Sequence, residues 1–380
     1  MIIDQLPSIG TVQSTDEIPI ERGTTTYKTT VTDVGTTAAS VIAATAAPLM
    51  DGTAAVGTST KLARQDHVHP HDSLITNENL LDNWYLVGTG DAYGTFPINQ
   101  RGQSSYSGSA GYTIDRWKTN YAADTVTLSD AGILIVTGGT HASTDFILTQ
   151  LMYDTKVVLG APYTISILVS GIQGSWAFTA GSRSSYSTGY RIQTNSITTT
   201  GLFTKTGTFT EDFSDFSVMI RLSEGASGNR IRIKAVKFEL GDTQTLARWD
   251  GSNWVLNEIP DYGEQLRRCE KYFYRLKSDT AYGIYSLALA TSATNARGVI
   301  QLPTTMVSPS SVTVSTSGVL NLAKADLSGA SDITGISFQV KNKDFLTLTF
   351  TVASGLTAGN TYFFRNGNST SPYIDFSCES

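Results

Sequence analysis

Ile231-Arg232-Ile233-Lys234-Ala235-Val236-Lys237-Phe238-Glu239-Leu240 sets apolar against charged residues along one continuous segment. In an extended strand successive side chains fall on opposite faces, so the isoleucines and Phe238 would enter a core while Arg232, Lys234, Lys237 and Glu239 take outward positions. Similar runs precede it. Thr125-Val126-Thr127-Leu128, Gly132 to Val136, Tyr163 to Val169 and Phe216 to Leu222 alternate or burst apolar between stretches of Gly, Ser and Asn. Many short strands with turn signals between them indicate a β-sandwich or jelly roll, here spanning residues 76–257. Trp117, in Tyr112-Thr113-Ile114-Asp115-Arg116-Trp117, is expected as a strand-borne core anchor.

Beyond this region Asp261-Tyr262-Gly263-Glu264 has the form of an N-terminal capping box, and Leu266, Cys269, Phe273 and Leu276 recur at helical spacing. The spacing predicts one helix over Tyr262 to Leu276, with Cys269 as a small buried hydrophobe rather than a reactive thiol. Tyr282 to Ala290, Ser311 to Ser315, Gly335 to Lys341, Phe345 to Val352 and Thr361 to Arg365 return to the strand pattern. Residues 258–380 are therefore expected as this helix plus a second jelly-roll-like β-sandwich, making the chain mainly β. Residues 1–75 differ. Strand-like Pro7 to Val12 and Thr25 to Val34 lead into an Ala/Thr/Gly stretch from Gly35 to Thr60 that offers little to bury, so this part reads as an attachment and trimerisation stalk.

Composition narrows the function. At 380 residues the chain carries more than one domain, yet only 16% of it is charged and 34 residues are Gly. A formal net charge of −6 leaves no overall basic surplus, which disfavours nucleic acid and points to a neutral or polar partner. The two cysteines, Cys269 and Cys378, form no disulfide framework. Met1 to Pro7 contains Asp4 and does not read as a signal peptide, and no apolar run approaches a membrane-spanning length. The expectation is synthesis in a cytoplasm, no membrane insertion, and release by lysis or within a particle.

Of the four histidines, three lie in Asp66-His67-Val68-His69-Pro70-His71. In a strand His67 and His69 share a face, and three parallel copies around an axis would bring six ring nitrogens together, enough for an octahedral first-row transition ion such as iron, zinc or nickel. The other reading of the same residues is a solvated turn set by Pro70. His71, past the proline, is the poorest ligand of the three.

No hydrolase elbow, phosphate loop or His-Glu-x-x-His helix is present. Glu211, Asp212 and Asp215 are close enough in sequence to supply a carboxylate pair for glycoside cleavage, although charged residues between strands are ordinarily a solvated turn. His141 has no partner legible in the sequence. Aromatic side chains say more, because sugar rings stack apolar faces on flat side chains while their hydroxyls seek polar groups. The candidates include Trp84, Tyr85, Tyr112 and Trp117. Those carried forward as carbohydrate-binding are Tyr186 and Tyr190 in the Gly/Ser-rich loop Gly181 to Tyr190, with Trp176 and Tyr106. A distal set, Tyr362, Phe363, Phe364 and Tyr373, offers a competing contact surface.

Several segments taken together resemble one family. Asp16-Glu17-Ile18-Pro19-Ile20, Gly23-Thr24-Thr25-Thr26-Tyr27-Lys28, and Pro48 to Gly57 leading into Asp66-His67-Val68-His69-Pro70 are similar to N-terminal parts of tailed-bacteriophage tail fibres and receptor-binding proteins. Asn79-Leu80-Leu81-Asp82-Asn83-Trp84, Ile98 to Gly102, Tyr112 to Trp117 and Val236 to Gly241 look like the carbohydrate-binding-module-like jelly roll of such proteins. Tyr262 to Phe273 is similar to the helix that follows it. The matches run in order over roughly the first 275 residues. The resemblance implies a homotrimeric component of the virion tail, joined through its N-terminus to tail or baseplate proteins and touching a bacterial cell-surface glycan with its distal domains. It also implies that a His-x-His pair from each chain holds a metal ion on the axis, which falls on His67 and His69; here the pair occurs once. The reading that follows is non-enzymatic adhesion, with a structural baseplate component or a glycan-degrading tailspike as alternatives.

Overall fold

The computed structural model describes residues 17–22, 25–30, 76–142, 146–152, 157–184, 189–222, 227–308 and 312–379. The chain divides into two units, Met1–Ile75 and Thr76–Ser380. In the first, β1 (Glu17–Arg22) and β2 (Thr25–Thr30) pair antiparallel, with Ile20 opposite Tyr27. Pro7 to Val12, the Ala/Thr/Gly stretch and the His-x-His pair lie outside the described residues.

The second unit is built from the alternating segments. Its first strands are β3 (Ser105–Tyr106), β4 (Gly111–Tyr112), β5 (Trp117–Thr119), β6 (Thr125–Thr127), β7 (Ile133–Val136) and β8 (Phe146–Leu151). They are followed by β9 (Pro162–Gln173), β10 (Trp176–Ser182), β11 (Arg191–Gln193), β12 (Gly201–Thr208), β13 (Phe216–Leu222) and β14 (Arg230–Leu240). Two six-stranded sheets result, ordered β11-β10-β13-β8-β5-β4 and β12-β9-β14-β7-β6-β3. The chain passes between them repeatedly, as a jelly roll requires: β9 and β12 lie in one sheet while β10 and β11 lie in the other. Ile133, Ile135, Ile231 and Ile233 point inward to meet Trp117, Trp176 and Phe178 in one core. The Trp117 indole is fully buried and donates to the Asn83 carbonyl at 3.0 Å.

The alternation in β14 changes phase partway. Ile233 pairs with Val169 but Ala235 pairs with the adjacent Leu168, so Lys234 is the extra residue of a β-bulge. Lys237 and Glu239 do point away from the core, yet they are not solvent-facing. The segment after β14, carrying β15 (Ala247–Trp249) and β16 (Trp254–Leu256), lies over them. The Lys237 ammonium sits 3.0 Å from Glu258 and 3.7 Å from Glu239, with no exposure, because charges on that face are buried under their own partners.

Helix α1 (Tyr262–Glu270) is shorter than the spacing predicts. Asp261 caps it, accepting from the Glu264 N–H at 2.8 Å, and Cys269 is buried as expected. Phe273 and Leu276 belong instead to β17 (Phe273–Lys277), which pairs with the last strand. Long-range pairing of an aromatic, strand-forming segment outweighs a helical stripe that α1 alone has little apolar surface to use.

The remaining strands are β18 (Ile284–Ala290), β19 (Asn295–Gln301), β20 (Thr313–Ser317), β21 (Leu320–Lys324), β22 (Ala330–Lys341), β23 (Phe345–Val352), β24 (Thr361–Asn366) and β25 (Tyr373–Ser377). The chain is mainly β with one short helix among the described residues. Its second β module takes the form of a closed barrel, β18-β19-β23-β22-β21-β24, beside the sheet β17-β25-β20. Small inward residues on β18 and β19 face large ones: a Cβ at Gly298 would stand 2.8 Å from the Phe350 ring, which in turn packs on Phe364 with centroids 4.2 Å apart. Pairing small residues with large ones in this way fills the interior of a small barrel.

A polar seam ties the sandwich to the helix and to the β17-β25-β20 sheet within this unit. Asp82 receives Arg116 at 3.0 Å and Arg268 at 2.7 Å, while Arg275 holds Asp375 with both nitrogens at 2.7 Å and donates to the Arg101 carbonyl. The Arg116 guanidinium lies 3.4 Å over the Tyr272 ring. No described helix is long and apolar enough to cross a membrane.

Candidate functional site

A cleft lined by two tryptophans lies where the β15–β16 hairpin overhangs the outward face of β9, β12 and β14. Its geometry starts from Trp249-Asp250-Gly251-Ser252-Asn253-Trp254. Asp250 accepts the Ser252 and Asn253 N–H groups at 2.8 and 2.7 Å, which closes the turn and holds its carboxyl below the usual range. Closing the turn sets Trp249 opposite Trp254, with ring centroids 5.6 Å apart and planes at 63°. Trp254 packs against the edge of the sandwich core, whereas Trp249 remains 54% exposed. Gly201 forms part of the floor at φ +133°, where an L side chain is strained, and a Cβ there would lie 3.7 Å from the Trp254 indole nitrogen.

The cleft encloses about 500 Å³. Ser170, Thr200, Ser252 and Asn253 bring hydroxyl and amide groups to its walls, and Lys234, raised by the bulge, is its one cation; Asp and Glu are not among its lining residues. The hairpin is held down by the Lys237–Glu258 pair and by Glu239, which accepts the Thr245 N–H at 2.8 Å and its hydroxyl as well. Burial pushes the Glu239 carboxyl up despite those bonds. A flat, half-exposed indole beside a few hydroxyl-bearing side chains is an arrangement suited to a sugar ring.

The structure sorts the residues named from sequence. Trp176 is fully buried and its indole N–H donates to the Gln173 carbonyl at 3.0 Å, so it is a core residue with no face left for a ligand. Tyr106 is 7% exposed, donates its hydroxyl to Asn99, and lines a smaller cavity of about 170 Å³. The arginines of that cavity, Arg101 and Arg275, are already matched by Asp115, Glu379 and Asp375. Tyr190 is half-buried, its ring 6.0 Å from that of Phe213, and does not line the Trp249 cleft; Tyr186 lies outside the described residues. His67 and His69 also lie outside them.

Of the distal aromatics, Tyr362 and Phe364 are barrel core, and Tyr373 is covered by the Arg275 guanidinium 3.7 Å above its ring. Glu211 and Asp212 are exposed in a turn, and Asp215 accepts the Ser184 N–H at 2.8 Å. His141 does have a partner: buried beside Tyr121, its Nε2 stands 2.9 Å from Asp124. Among the described residues no group of three or more His, Cys, Asp and Glu is placed to hold a metal ion. Trp249 and Trp254 were not singled out from sequence. The signal was available, since Asp-Gly between two strand-forming runs is a hairpin mark, and it brings both indoles to one place.

No protein-family model matches the sequence, and no curated protein is similar to it. Among solved structures the chain is similar, at 10% identity and a TM-score of 0.26, to the N-terminal CBM22-1-CBM22-2 tandem domain of Xyn10C from Paenibacillus barcinonensis. That match covers 80% of this chain and 98% of the other.

Proposed function

We propose that this chain is an adhesin that binds a bacterial cell-surface glycan in the Trp249–Trp254 cleft without cleaving it. The half-exposed Trp249 ring, fixed by its own turn beside sugar-compatible hydroxyls, is the observation that carries the reading. Together with the resemblance of its segments to phage fibres, this makes it a tail fibre or receptor-binding protein of a virion. In that role it works as a homotrimer, attached through residues 1–75 to tail or baseplate proteins, with His67 and His69 of three chains holding one transition-metal ion. Trivalency compensates for a shallow site, because linked sites gain from effective concentration.

Assembly has support in the barrel. Leu287 and Leu289 of β18 and Val299 of β19 point outward, each about half exposed, and Leu287 is paired with Phe363 of β24. An apolar stripe of this kind marks a protein contact. The same stripe favours a second reading, a structural baseplate component whose barrel docks on other virion proteins.

The test is tryptophan fluorescence and adsorption of the full chain on bacterial surface polysaccharide. Trp249→Ala is expected to weaken binding about tenfold, the loss of one stacking contact. Full retention overturns the cleft as the site. The Tyr186→Ala/Tyr190→Ala variant reports separately on the Gly/Ser-rich loop, and failure of the wild-type chain to adsorb at all favours the baseplate reading.

A further inference from the structure

Arg230, Arg232 and Lys234 stand two positions apart on β14, so they share its outward face at a spacing of roughly 6.5 Å. The rest of that face neutralises its charges, as Lys237 does against Glu258 and Glu239. These three do not: no ion pair involves them among the described residues. Their cross-strand neighbours are uncharged, Val136 and Gln173 beside Arg230, Leu134 and Gly171 beside Arg232. The Arg232 Nε–H is buried without an acceptor. Like charges in a row repel one another, and a chain of formal net charge −6 has no shortage of acids to place opposite them. The row runs into the Trp249 cleft, whose lining includes Lys234 and no carboxylate.

We propose that the ligand of the cleft is an acidic polysaccharide, one sugar ring lying on Trp249 and successive carboxylate or phosphate groups following Lys234, Arg232 and Arg230. The inference rests on the reading of the Trp249 cleft as a glycan site and adds the charge of its ligand. A low-acid cleft with aligned cations concentrates an anionic polymer and speeds its capture. Single-stranded nucleic acid also combines rings with phosphates, but the hydroxyl and amide groups of Ser170, Thr200, Ser252 and Asn253 match a polyol better.

Calorimetric titration of the full chain with four probes decides this: oligogalacturonate, the same oligomer with its carboxyls reduced to alcohols, poly(glycerol phosphate) and oligothymidylate. The expected result is binding of at least one anionic glycan probe, about tenfold weaker after carboxyl reduction where the carboxylate is the one bound, and weaker again at raised salt. The Lys234→Gln/Arg232→Gln variant should lose the same factor while keeping its thermal midpoint. Which anion binds separates carboxylate from phosphate. If the reduced oligomer binds as well as its parent and the double variant binds unchanged, the acidic ligand is overturned while the cleft stands. Tight binding of oligothymidylate overturns it in favour of nucleic acid. If neither anionic glycan probe binds while Trp249→Ala still weakens adsorption to surface polysaccharide, the row is not a ligand site and the inference falls. If Trp249→Ala has no effect either, the glycan reading falls with it.

Discussion

Asp115 shows how much one residue's surroundings can set. It is fully buried in the seam, accepts from Gln100 and Arg101, and nonetheless has its carboxyl pushed up to about 7, chiefly by burial. A carboxyl with a higher pKa folded than unfolded binds its proton more tightly in the native state. Its contribution to stability is therefore fully present below about pH 4 and is lost as the pH rises through about 7. Glu270, pushed up to about 7 by burial, acts in the same direction. The thermal midpoint should fall between about pH 4 and about pH 8, and Asp115→Asn should flatten part of that fall; an unchanged slope would remove Asp115 as its source. At this scale the sequence was legible wherever a residue's role is set by its own apolar bulk. Trp117 was read as a core anchor and is one, and Trp117→Ala should cost about 3–5 kcal/mol in denaturant unfolding. It was not legible for Trp176, because a tryptophan between glycine-rich turns has the same local text whether its strand is buried or exposed, and β10 is buried along its whole length. His141 was illegible for a related reason: Asp124, its partner, is brought to it only by the fold.

Elements were readable in proportion to how local their determinants are. Phe216–Leu222 and Phe345–Val352 emerge with the predicted bounds because alternation and turn residues define them without outside help. Asn295–Gln301 and Leu320–Lys324 went unread, since small residues such as Ala296, Gly298 and Ala323 give no apolar periodicity; what fixes them is the space left by Phe350 and Phe364. On that account Gly298→Val should destabilise the barrel more than an exposed strand substitution would, by several kcal/mol, whereas equal effects would show that the barrel has slack there. Helix α1 makes the same point from its ends. Its start is local, the Asp261 cap, and Asp261→Ala should cost about 1 kcal/mol by thermal melting, with no loss counting against the cap. Its end is not local, because the register Phe273↔Ser377 through Lys277↔Tyr373 recruits residues that by spacing alone would continue the helix.

On the scale of the whole molecule, the described surface has features that make sense in an assembly. The sandwich presents a cleft with an exposed tryptophan and an unmatched cation row, while the barrel presents Leu287, Leu289 and Val299 to solvent. In the proposed multivalent adhesin such a stripe would serve between subunits. The metal site proposed at His67 and His69 would add a separate, chemical reason for assembly: two imidazoles make a poor site, six make a good one, and three copies supply six. Light scattering with elemental analysis tests both together. The expected species has about three times the 40.8 kDa chain mass and carries roughly one metal ion per three chains. His67→Ala/His69→Ala should remove the metal, and Leu287→Lys/Leu289→Lys should weaken the trimer while leaving His67 and His69 intact. A metal-free trimer that resists the leucine changes would mean that neither feature is the contact, and a metal-free monomer would leave the proposed adhesin without the multivalency a shallow cleft needs.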